Sequence, residues 1–117
     1  MSVYDTSNRL AREIKNSDEY QEYQEIREKI LADESTKEML KDYMEKQMNL
    51  QQKQMAGEEP TAEEKEELAR IKEVVDLNSD IKEYLEAEHR MSVMLNDLQE
   101  ILFGDLEIGV MEEENEE

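Results

Sequence analysis

A chain of 117 residues with 14 bases against 33 acids carries a formal charge of −19, and 40% of its residues are charged. That field opposes duplex nucleic acid and anionic membrane at long range, so neither is expected as a direct partner. With no cysteine, disulfides, thiolate catalysis and cysteine-held metal centres are excluded, while three Gly, one Pro and no Trp leave a composition biased to helix.

In chain order, Ser2 and Asp5 stand at capping-box spacing, and Val3, Ser7, Leu10 and Ile14 then recur every three to four residues, which predicts a first helix to about Lys15. No uninterrupted apolar region of a secretory signal opens the chain, and no apolar run approaches the roughly 18 residues of a membrane span, so a cytoplasmic location is expected. Ser17, followed by Asp18 and Glu19, starts a second helix with Tyr20, Tyr23, Ile26 and Ile30 on one face, ending near Ala32. Ser35 and Glu38 mark a third start, after which Leu40, Tyr43, Met44, Met48, Gln51 and Met55 line a broad stripe up to the stop at Gly57. Pro60 blocks continuation, and Thr61 with Glu64 opens a fourth helix carrying Leu68, Ile71 and Val75. The stretch around Gly57 therefore reads as a reversal between two antiparallel helices.

A break at Asn78, Ser79 and Asp80 precedes the last helix, whose Ile81, Tyr84, Met91, Leu95, Leu98 and Leu102 keep a 3,4 alternation interrupted only by Glu88. Gly104 is expected to end it. From Asp105 the segment carries seven acids and no base, which reads as a solvated, mobile tail. Four capping signals in phase with the apolar stripes favour order over disorder. The fold class expected is all-α: an antiparallel long-helix hairpin or bundle of about five helices, with one helical domain over 1–104 and an acidic tail over 105–117.

The third helix is mostly Gln, Lys and Met, side chains that cover apolar surface without demanding one tight geometry. Packing within the hairpin is one reading, and a self-association surface is the other. Over 35–55 the helix extends on the order of 30 Å, the diameter of a small domain. Helices that long with shallow stripes seldom complete a globule alone. A homo-oligomer, dimer or higher, is thus predicted, with Tyr43, Met44, Met48, Leu50, Gln51 and Met55 on one contributing face and Tyr84, Glu88, Met91, Leu95 and Leu98 on another. The same faces are where a separate protein partner is expected to dock.

Little else suggests chemistry. Glu86 and His89 have the Glu-x-x-His spacing of a di-iron half-site, but the chain has one His, so only a symmetric dimer could supply the second half; an exposed polar His is the ordinary alternative. Glu88 occupies an apolar seam position. Either it reaches solvent or a neighbouring base, or it makes a buried polar contact that sets helix register or the subunit interface. No nucleophile-base arrangement and no GxGxxG or GxxxxGK[ST] loop is present, so no enzyme and no cofactor is expected.

The stretches LQQKQMAGEE at 50–59 and LEAEHRMSVML at 85–95, with the opening VYD and the later EYQEYQEI, resemble the YheA/YmcA/YlbF family of Gram-positive bacterial proteins over residues 3–102. The resemblance implies an all-helical, oligomer-forming cytoplasmic protein. In that family YmcA and YlbF act with a third protein in a complex linked to RNA processing, competence, sporulation and biofilm formation, and some members hold iron-sulfur clusters on cysteines. This chain has none, so no cluster is carried over, and the YheA branch has no assigned biochemical activity. The resemblance adds an adaptor role, acting through protein contacts, beside the readings from the residues: a self-associating interaction protein, or a metal-binding bundle using Glu86 and His89.

Overall fold

A computed structural model describes residues 2–109, and within them five helices form without any strand. They are α1 (Val3–Lys15), α2 (Asp18–Ala32), α3 (Glu34–Met55), α4 (Ala62–Asp76) and α5 (Ser79–Phe103). Local chemistry explains most of the boundaries. Ser2 and Asp5 close a full capping box on α1, as do Thr61 and Glu64 on α4, and the Ser17 hydroxyl accepts the Tyr20 N–H at the start of α2.

One start differs from expectation. Ser35 and Glu38 do not cap α3; Asp33 does, accepting the Ser35 N–H at 3.2 Å and the Thr36 hydroxyl at 2.8 Å. A carboxylate directly after α2 satisfies two donors at once and neutralises part of the positive helix end, so it displaces the serine. The same residue caps the C-terminus of α2, which leaves α2 and α3 joined through Asp33 alone.

At the other end of α3 the Glu58 N–H donates to the Lys53 carbonyl and the Gly57 N–H to that of Gln54. This is the Schellman arrangement, with Gly57 at φ +79°, where a side chain would add about 1–2 kcal/mol of strain. Across the turn the Lys53 ammonium donates to the Glu64 carboxylate, joining α3 to α4. That bond, and then the Thr61 N–H, hold the Glu64 carboxyl below its ordinary value. Its contribution is present above the usual carboxylate range and is lost as pH falls through the lowered value.

α2 packs most extensively on α5, α3 lies along α4 and against α2, and α1 rests on α2 with none of its residues buried. The core is small: Ile26 and Ile30 from α2, Leu40 and Tyr43 from α3, Val75 from α4, and Ile81, Tyr84 and Ala87 from α5. Val75 and Ile81, on either side of the α4–α5 break, are the most enclosed at 1% and 0% exposure. The Asn78 side chain accepts the Ile81 N–H at 3.0 Å, so the break that starts α5 also fixes its deepest residue.

The molecule is flat. Its extents are 50 × 39 × 16 Å and its radius of gyration is 18.9 Å, against about 13 Å for a compact domain of this length. Its accessible surface of 9618 Å² exceeds the roughly 6,700 Å² typical of a monomer of this mass. Of the expected acidic tail, 105–109 are exposed and outside any helix, and 110–117 lie outside the described residues.

Candidate interaction surface

The 3,4 seam of α5 divides at its midpoint. In the first half it faces α2 and α4 and is buried at Ile81, Tyr84 and Ala87; past Met91, which is half-buried with Met94 and Leu98, cover runs out. Leu95 is 47% exposed, Leu102 49% and Ile101 77%. The loss of cover has a simple cause. α2 runs antiparallel to α5, with Glu22 paired to Arg90 at 2.9 Å, and it begins at Asp18, so its cover ends where Glu19 lies beside Met94 and Leu98. Residues 91–103 therefore project as an apolar ridge whose charges, Asp97 and Glu100, are both acidic. No base occurs anywhere after Arg90.

A second apolar surface lies where α2, α3 and the Tyr84 ring meet. It is a groove of about 310 Å³ floored by Ile30, Leu31, Leu40, Met44 and Met48. Arg27, Lys37 and Lys41 rim it against one acid, Glu45, a local balance opposite to that of the whole chain. The sequence reading placed Met44 and Met48 on an interaction face but missed the basic rim. The signal was available in the clustering of Arg27, Lys37 and Lys41 across the α2–α3 junction.

The remaining residues expected at an interface separate. Tyr43 and Tyr84 are corrected to core positions of the single chain, because α3 turns its 36–40–43 face and α5 its 81–84–87 face into the core that α2 and α4 share with them. Leu50 is half-buried along the hairpin, while Gln51 and Met55 point to solvent near its tip. Glu88 is half-buried one turn beyond Tyr84 and makes no ion pair among the described residues. The Tyr84 hydroxyl lies 3.2 Å from that of Tyr23, with the rings 5.5 Å apart and tilted by 38°. Burial first, then Tyr23, then the Glu88 carboxylate raise Tyr84 far above the ordinary tyrosine value. The Tyr23–Tyr84 hydroxyl pair thus stitches α2 to α5, with the Glu88 carboxylate close to Tyr84.

The sign of that shift gives a test. A tyrosine raised by folding contributes stability that is complete below the unfolded value of about 10 and is lost as pH rises beyond it. An alkaline absorbance titration of the native protein should contain a late-ionising step that Tyr84→Phe removes; loss of amplitude at the ordinary tyrosine midpoint instead would contradict the arrangement.

Glu86 and His89 do not converge. Glu86 lines a groove between α2 and α5 with Glu22, Glu25, Glu28 and Glu83, whereas the exposed His89 lines a different one with Glu19 and Asp97. Among the described residues no group of three or more His, Asp or Glu is placed to hold a metal ion, and no helix is long and apolar enough to cross a membrane.

Geometry of this kind defines a class: an all-α chain of five helices built around long, partly uncovered helix faces. Residues 3–107 match the family model described as control of competence regulator ComK, YlbF/YmcA, and the chain belongs to that family. It is 57% identical to a UPF0342 protein of Halothermothrix orenii over 97% of each chain. A UPF0342 protein of Bacillus pumilus is 36% identical, covering 92% of this chain and 91% of its own. A solved protein of unknown function (DUF964) from Bacillus stearothermophilus shares the fold, with a TM-score of 0.74 at 22% identity over 87% of this chain and 90% of that one.

Proposed function

We propose that this chain is a non-enzymatic interaction protein that works as a self-associated assembly, homodimeric or higher, through the distal seam of α5 and the Met44–Met48 face of α3. The observation that carries this reading is the ridge at 91–103, apolar on the face that is buried one turn earlier and left open by the chain's own helices. Ridges of that size on a soluble surface mark contact sites. An accessible surface of 9618 Å², larger than that typical of a compact monomer of this mass, fits a subunit that buries further area against a second copy. When tagged and untagged copies are expressed together, affinity capture should retain the untagged copy; recovery of tagged chain alone counts against the reading.

Family membership supports a second, narrower reading, an adaptor in regulation of the competence type, because the matching family model carries that description. Such an adaptor would act through protein contacts, since a charge of −19 opposes direct binding to RNA.

A further inference from the structure

We infer that the ridge of one copy seats in the basic-rimmed groove of a second copy, and that the exchange is reciprocal. The inference rests on the self-association reading and specifies which surfaces meet.

Chemistry matches the two surfaces. The ridge offers Leu95, Leu98, Ile101 and Leu102 with Asp97 and Glu100 as its only charges, and the following Asp105 and Glu107 are acidic as well. The groove offers Leu31, Met44 and Met48 within the rim of Arg27, Lys37 and Lys41. None of these three bases, and neither of the two helical acids, makes an ion pair among the described residues. Both sets of charges are therefore free to meet a partner of opposite sign. The two methionines adapt the groove floor to an incoming helix without requiring a preformed socket.

Geometry rules out the chain's own ridge as the occupant. Tyr84 lines the groove, and Leu98 lies fourteen residues further along the same uninterrupted helix, about 21 Å away. A rigid rod cannot fold its far end onto a groove beside its own middle. A second copy meets the requirement directly: two α5 helices set antiparallel, with Tyr84 opposite the partner's Leu98, place the two-fold axis at Met91, midway between them. Each groove then receives one ridge, and the contact closes at two copies.

Charge reversal in trans tests the pairing. One variant carries Lys37→Glu and Lys41→Glu in the groove, the other Asp97→Lys and Glu100→Lys on the ridge. Alone, each sets like charges against like at both contacts of its homodimer. Each should self-associate roughly a hundredfold more weakly than the native chain in sedimentation at low salt. Mixed in equal amounts, the two should form a heterodimer, since both of its contacts again join opposite charges, and 1 M salt should erase the difference. Native-like association of either variant alone, or failure of the mixture to associate, would overturn the pairing. If the unmodified chain sediments as a monomer in the same runs, self-association itself fails. Circular dichroism checks that helix is retained; should a double variant lose it, Lys41→Glu and Glu100→Lys singly carry the same comparison.

Discussion

Replacing Leu95 and Leu102 together by aspartate should turn the assembly into monomers while leaving helical content unchanged. Both side chains are about half exposed in the single chain, at 47% and 49%, so its fold loses little by the change. The assembly loses much more. Completing the burial of a half-exposed leucine is worth on the order of 1 kcal/mol, half the value for a fully exposed one. A two-fold contact repeats each replacement, so four sites together remove about 4 kcal/mol, close to a thousandfold in dissociation constant. Placing carboxylates on an apolar contact adds to that loss. Sedimentation velocity and far-ultraviolet circular dichroism read the two halves of the expectation, and an unchanged mass for the variant would contradict it.

The other large effect concerns the fold. Ile81→Ala should lower the free energy of unfolding by about 3 kcal/mol, the middle of the range for removing an enclosed isoleucine side chain. Ile81 is 0% exposed, packs in a core of eight buried apolar residues among those described, and lies one turn after the Asn78 cap that starts α5. A chain of this length has roughly 6–17 kcal/mol in total, and so small a core places it toward the lower end. The substitution therefore removes a large share of the stability. Urea denaturation of both proteins at one chain concentration measures it, with concentration held fixed because association itself adds stability. A difference below about 1 kcal/mol would mean that the α4–α5 junction is not the keystone of the core.

Much of this architecture was legible in the residues because its signals are local. The hairpin at Gly57, the boxes at Ser2 and Thr61, and the break at Asn78 each depend on hydrogen bonds spanning a few residues. Even there competition misled: Ser35 with Glu38 has the right spacing, yet Asp33 stands nearer the end of α2 and takes the cap. What periodicity could not supply was the allocation of faces. Tyr43 and Met44 are neighbours on one stripe, but the first closes the core and the second floors an open groove. That distinction depends on where α2 begins and how far it reaches along α5. Glu88 makes the same point, since its carboxylate lies near the Tyr84 hydroxyl, a proximity that its seam position alone does not announce. The rim of Arg27, Lys37 and Lys41 comes together only once α2 and α3 turn about Asp33.

The proposed role requires copies of the chain to cover one another's apolar ridges. Sedimentation equilibrium of the untagged chain, at several loadings from low micromolar upward, reads that directly. The mass should fit a dimer or higher multiple of 13.9 kDa and fall toward one chain only on dilution. A mass of 13.9 kDa at every loading would contradict the account.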